Sequence, residues 1–157
     1  MVTRNCIRIV IILFFLCNAN YLQSNDNNMN NYELSLTKAI TLYNNKNLII
    51  VDVRTKKEWA MTGVIPESFL INMHNDDYTE NSDFINRVEE ILDVNKNKNI
   101  SFICASGARS AIVANYFIEK NNKNISHIPD GIVGQSQDGW LYSGYPIKEY
   151  NDKEEKH

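Results

Sequence analysis

Cysteine is scarce: the 157 residues hold three, Cys6, Cys17 and Cys104. Three cannot build a disulfide framework, and no two stand at the Cys-x-x-Cys spacing of a zinc or redox site. An excess of basic charge is missing as well. Sixteen Lys and Arg face 19 Asp and Glu, a net charge of -3, which gives no reason to expect a nucleic-acid partner. The unbroken apolar run Ile9–Leu16 is too short to cross a hydrocarbon core of about 30 Å as a helix. The marks of a disordered chain are lacking too, with 43% hydrophobic and 22% charged residues. Alanine is uncommon while asparagine occurs 23 times, a compositional bias that inflates the apparent loop content. What remains fits one domain of ordinary size, large enough to fold without disulfides or metal.

The N-terminus has its own logic. Met1–Arg8 carries Arg4 and Arg8 and no acid, the apolar run follows, and Cys17-Asn18-Ala19 offers small residues where a signal peptidase reads. Residues 1–19 are therefore expected to be a signal peptide, and the protein to be exported to a periplasm or secretory pathway, with no stable membrane insertion after cleavage. An uncleaved anchor or a buried N-terminal strand is the alternative. A lipoprotein site at Cys17 is disfavoured by the bulky Leu16 before it. Cleavage would leave 14 basic and 19 acidic residues, a net charge near -5, and a single cysteine, Cys104. A lone thiol in an exported chain is either inert and buried or reactive.

Beyond a polar, Asn-rich linker at 20–33, the chain alternates helix and strand to about residue 150, and a charged tail closes it at 151–157. Leu34–Tyr43 has a rough helical stripe. Leu48–Val53 is a continuous β-branched run, as in a strand buried on both faces. Thr55-Lys-Lys-Glu58 fits a capping box that opens a short helix through Met61. Ser68–Met73 reads as a second strand. Ser82 or Asp83 can cap a helix through Leu92, Asn99–Ile103 is a third strand, and Ile125–Ile128 a fourth. Arg109–Lys120 reads as a helix with Ile112, Val113, Tyr116 and Phe117 at helical spacing. Such alternation predicts right-handed crossovers and a mainly parallel sheet covered on both faces. Ligands then sit beyond the C-terminal strand ends, where Asp52-Val53-Arg54 and Cys104 fall. No internal repeat and no second domain is visible.

The chemistry concentrates in Cys104-Ala105-Ser106-Gly107-Ala108-Arg109-Ser110. A cysteine after a buried strand, a short loop of small residues and a helix start together form an anion cradle of backbone N–H groups. Gly107 permits the tight path. The helix dipole and Arg109 favour the thiolate, which is the nucleophilic form. A buried structural cysteine in an ordinary strand-to-helix turn is the plainer reading of an isolated Cys, and Cys-x-x-Gly-x-Arg-Ser in this setting argues against it.

This segment resembles the active-site loop of the rhodanese family, single-domain sulfurtransferases. The resemblance runs from about Leu48 to Ile147. Val51-Asp-Val-Arg54 with Glu58-Trp59 is similar to the family's first signature, and Gly63-Val-Ile-Pro66 with Ile71-Asn72 to its continuation. Asp130-Gly-Ile132, Gly139-Trp140 and Gly144-Tyr-Pro146 are similar to its C-terminal signature. Val64 stands where the family usually has His, and the stretch from Gly131 to Trp140 is longer than its commonest form. The resemblance implies an α/β fold, a three-layer α/β/α arrangement around a mainly parallel sheet. It also implies a two-step transfer in which Cys104 takes a sulfane sulfur from thiosulfate or a persulfide donor and passes it to a thiol or a cyanide-like acceptor. No metal and no cofactor beyond the transient cysteine persulfide is implied.

Four residues separate Cys104 from Arg109, whereas the protein tyrosine phosphatases that share this fold use five, so the loop favours one sulfur over a phosphate. A non-catalytic binding module and a phosphatase or arsenate-reductase-like enzyme remain the alternatives. Ala105, Ser106, Gly107, Ala108, Arg109 and Ser110 are the expected loop and substrate-binding residues, with Ser110 capping the following helix. Arg54 is a further candidate for substrate contact, or else an ion pair of Glu58, one helical turn on. Asp52 is read as orienting loop groups, and Arg109 as facing the anion or bracing the loop. Ser106 stands where some two-domain members carry a thiosulfate-binding Lys, an absence that speaks against strong thiosulfate activity. His74, Asp76 and Asp77 read as a solvated loop, His127 as structural, and Trp59, Trp140 and Tyr145 as packing residues.

Overall fold

Consecutive β-branched residues favour an extended backbone and pack well on both faces of a sheet. Leu48-Ile-Ile-Val-Asp52 obeys this rule as the central strand of a computed structural model that describes residues 32–152. The expected signal peptide and most of the linker and tail lie outside the described residues. The four strands are β1 (Leu48–Asp52), β2 (Phe69–Leu70), β3 (Asn99–Ile103) and β4 (Ile125–His127). They form one parallel sheet in the order β2-β1-β3-β4. The helices are α1 (Leu36–Asn44), α2 (Lys56–Thr62), α3 (Phe84–Val94) and α4 (Ala108–Glu119).

Alternation along β1 and β3 separates two cores. Val51, Val53, Phe102 and Cys104 face Phe84 and Val88 of α3 and Val113 and Phe117 of α4. Ile50 and Ile103 face Ala39 of α1, Ile128, Ile132 and Trp140. The sheet is thus the middle of three layers, and the fold is α/β as the sequence implies. Among the described residues no helix is long and apolar enough to cross a membrane.

Several boundaries differ from the sequence reading. Tyr32 and Glu33, assigned to the linker, already join the sheet: Tyr32 O accepts from His127 N at 2.8 Å, and Leu34 N donates to His127 O at 2.8 Å. The second strand keeps only Phe69 and Leu70 as a ladder because it is an edge with a partner on one side, although Ile71 N and Met73 N still donate to Asp52 O and Val53 O. At α3, Asp83 holds the N-cap position without capping through its side chain, and its own N–H goes to Asn81 Oδ1. The capping box at α2 forms as read, Thr55 Oγ1 accepting from Glu58 N and Glu58 accepting from Thr55 N. Ile112 and Tyr116 are not core residues. They are exposed on α4, whose buried face is Ser110, Val113, Ala114 and Phe117.

Candidate active site

The chain leaves β1 toward β2 on one side and returns to β3 on the other, so the strand order reverses between the ends of β1 and β3. Asp52 and Ile103 are register partners at that switch point, the usual ligand position of an open parallel sheet. Cys104 is the next residue. Its thiol is free and the residue is only 1% exposed, at the floor of the loop that leads to α4.

The loop is held by its carbonyls. Cys104 O accepts from Ile132 N at 2.8 Å, and Ala105 O accepts from Val133 N at 2.9 Å and Gly134 N at 3.1 Å. In a trans peptide the N–H points opposite to the C=O, so these bonds turn the amides of Ala105 and Ser106 to the other side. Among the described residues the amides of Ala105 to Ser110 find no protein acceptor. They include the first N–H groups of α4, whose dipole adds positive potential there. Two glycines make this path possible. Gly107, the N-cap of α4, has φ of 90°, and a Cβ on it would lie 2.1 Å from Pro129 O. Gly131 has φ of 66°, and its Cβ would lie 2.4 Å from Ala105 O. The loop and the 129–134 segment are in direct backbone contact, with no room for a side chain between them.

Ser110 does not cap α4, a correction to the sequence reading. It lies in the first turn, fully buried, and its hydroxyl donates to Gly107 O at 2.9 Å. The same oxygen is 3.6 Å from Cys104 Sγ and 3.3 Å from His127 Nδ1. His127, read as structural, therefore reaches Cys104 through one hydroxyl. No local signal in the sequence could reveal this, because the contact bridges β4 and α4.

Arg54 does not take the partner expected of it. Arg54 is 1% exposed and fully engaged: Nε and Nη2 bind the Asp52 carboxylate, Nη1 donates to Thr62 Oγ1 and Glu58 O, and Nη2 also reaches Gly63 O. A guanidinium has five N–H donors, and all are spent inside the protein. Arg54 is thus not placed for substrate contact, and Asp52 orients Arg54 rather than the loop. Glu58 pairs instead with Arg109, through Nη1 at 2.8 Å and Nη2 at 2.6 Å. Burial pushes the Glu58 carboxyl up, but hydrogen bonds from Arg109 and Thr55 outweigh it and hold the group at about 2. The guanidinium of Arg109 is raised first by its hydrogen bonds to Glu58, and further by the nearby Cys104 and Asp52. Arg109 braces the loop against α2 while staying within electrostatic reach of Cys104.

Ala105 and Ser106 are half-buried at the loop turn and Ala108 is exposed. Asp76 accepts from Lys57 N in the first turn of α2, and Asp77 bonds Thr79, so both tie down their loop. His74 borders an apolar cavity of about 240 Å³ with Met73, Phe84, Ile85, Ile112 and Tyr116, and Cys104 is not in its wall. Trp59 and Trp140 are fully buried, and Tyr145 packs edge-on against Trp140.

The family model of the rhodanese-like domain matches residues 35–138. An uncharacterized protein of Rickettsia prowazekii (strain Madrid E) is 37% identical over 119 residues, covering 70% of this chain and 91% of its own length. A rhodanese-related protein from Thermoplasma volcanium has a similar structure, with a TM-score of 0.52 and 28% identity over 75% of this chain and 98% of its own. A protein of M. tuberculosis, Rv0390, gives a TM-score of 0.62 over 75% of this chain and 97% of its own, and at 23% identity it speaks to the fold alone.

Proposed function

The chain belongs to the family of rhodanese-like domains, and on that premise we propose that it is a sulfurtransferase that carries a persulfide on Cys104. One observation carries this reading: a free thiol stands at the switch point beneath a loop whose amides, from Ala105 to Ser110, have no acceptor among the described residues. Such a ring of donors suits an anionic sulfur, which the unpaired amides and the dipole of α4 stabilise as an oxyanion hole stabilises oxygen.

The transfer runs in two half-reactions. The Cys104 thiolate attacks the outer sulfur of thiosulfate, a new S–S bond forms, the old one breaks, and sulfite leaves. The terminal persulfide sulfur then lies among the loop amides. A thiol or cyanide attacks it, removes it and returns the thiolate, so ping-pong kinetics follow. Arg109 contributes positive potential and holds the loop through Glu58, and Ser110 Oγ accepts from Cys104 Sγ at 3.6 Å. The four-residue spacing from Cys104 to Arg109 leaves room for one sulfur rather than a phosphate. The basic and apolar character of residues 1–19 supports an exported enzyme. Thiocyanate formation from thiosulfate and cyanide, run beside hydrolysis of an aryl phosphate, tests the reading. Turnover in the first assay alone supports it, and turnover in the second alone replaces it with a phosphatase.

A further inference from the structure

The hydroxyl of Ser110 is the meeting point of three groups: Gly107 O at 2.9 Å, His127 Nδ1 at 3.3 Å and Cys104 Sγ at 3.6 Å. All three residues that carry side chains here are buried, Cys104 to 1%, Ser110 to 0% and His127 to 3% exposure. Water does not compete for these bonds, so the single hydroxyl proton must be shared among protein acceptors. The other ring nitrogen, His127 Nε2, has no hydrogen-bond partner among the described residues and faces Glu33 Oε1 at 4.0 Å.

We propose that His127 is a positioning residue for Cys104, the proton-accepting end of a buried chain that runs from Cys104 through Ser110 to His127 Nδ1. The proposal rests on the reading of Cys104 as the reactive thiol. While the thiol is protonated, S–H points at Ser110 Oγ, and the hydroxyl proton goes to Gly107 O or to Nδ1. A thiolate needs a donor, and Ser110 is the hydroxyl within reach. When Ser110 turns its proton to sulfur, its oxygen needs a donor in turn, and Nδ1 supplies it only as N–H. The S–H proton thus passes to Oγ while the hydroxyl proton passes to Nδ1. One S–H bond is lost, one N–H bond is gained, and no electrons change hands. The imidazolium so formed has the Glu33 carboxylate beside Nε2.

The groups facing the ring are Glu33 and the Tyr32 ring from the N-terminal edge and Ser110 from α4, with Cys104, just after β3, behind Ser110. Burial lowers the basicity of His127, and the Glu33 carboxylate beside the ring partly offsets this.

The test follows Cys104 alkylation by iodoacetamide against pH in the full chain, read on the Cys104 peptide by mass spectrometry to separate it from Cys6 and Cys17. It needs no sulfur transfer, so it can succeed where the turnover assay fails, and the reverse. His127→Gln removes the group at Nδ1 and is expected to slow alkylation about tenfold on the acidic limb, the size of one lost hydrogen bond to a charged group. His127→Asn keeps a polar atom near Nδ1 but cannot take a proton, and shifts the same way. In Ser110→Ala the His127→Gln change adds nothing. Glu33→Gln, at a half-exposed site outside the core, moves the thiolate limb to higher pH, whereas loss of a carboxylate acting by direct electrostatics alone would move it lower. An unmoved profile in His127→Gln, wild-type behaviour in His127→Asn, or a lower pH in Glu33→Gln each overturns the proposal.

Discussion

Arg109 and Glu58 face each other across two parallel hydrogen bonds of 2.8 and 2.6 Å, joining the start of α4 to the first turn of α2. The pair ties the Cys104 loop to α2. Because both side chains are mostly buried, its loss is felt in stability as well as in the loop. Arg109→Gln is expected to cost about 1.5–3 kcal/mol, the range of a hydrogen bond to a charged group, and urea denaturation measures it. A double-mutant cycle with Glu58→Gln gives the coupling.

The same pair sets an acid response. The folded Glu58 carboxyl sits at about 2, below its ordinary 4.5, so its stabilisation is complete above 4.5 and disappears as pH falls through about 2. Wild type and Glu58→Gln therefore differ most in unfolding midpoint at neutral pH and converge near pH 2. A gap that stays constant across that range would contradict the pairing.

Arg54 and Asp52 form a second, deeper pair with different consequences. Arg54→Met leaves the Asp52 carboxylate buried and unpaired, at a cost of about 3–5 kcal/mol. The molecules that remain folded keep the KM for the sulfur donor, since Arg54 has no free N–H for substrate. A raised KM with unchanged stability would show the opposite assignment.

Glycine replacements separate contact from conformation. Gly144→Ala meets nothing within 4 Å and pays only for its φ of +71°, about 1–2 kcal/mol. Gly107→Ala and Gly131→Ala add collisions with Pro129 O and Ala105 O, so they destabilise more and remove loop function. Thermal melting and thiocyanate formation read both effects.

Ser106 tests donor preference. Ser106→Lys places an ammonium at the half-buried loop turn and is expected to lower the KM for thiosulfate by up to about fivefold, the value of one partly screened charge pair. Binding of a neutral thiol acceptor is unaffected.

The layers and the loop were legible because their signals are local. Leu48–Asp52 carries the β-branched run of a central strand, and Cys104–Arg109 carries a cysteine, a glycine and an arginine within six positions. The ion pairs were not. Helical spacing suggests Arg54 with Glu58, but Arg54 follows the end of a strand, where side chains two apart share a side, so Asp52 lies nearer. Glu58 is thereby left to Arg109, a partner 51 residues away. His127 was equally hidden. It is the register partner of Phe102 on β4, and only the packing of α4 sets Ser110 between its ring and Cys104. Ile112 and Tyr116 fit a helical stripe but miss the buried face of α4 and border a cavity instead.

The most direct measurement is intact mass. The full chain is incubated with thiosulfate or another sulfane donor, weighed, treated with cyanide and weighed again, beside Cys104→Ala. The sulfur-carrier reading predicts one added sulfur atom on wild type, its loss with release of an equal amount of thiocyanate, and no addition to Cys104→Ala. No added sulfur with any donor, or equal addition to Cys104→Ala, would contradict it.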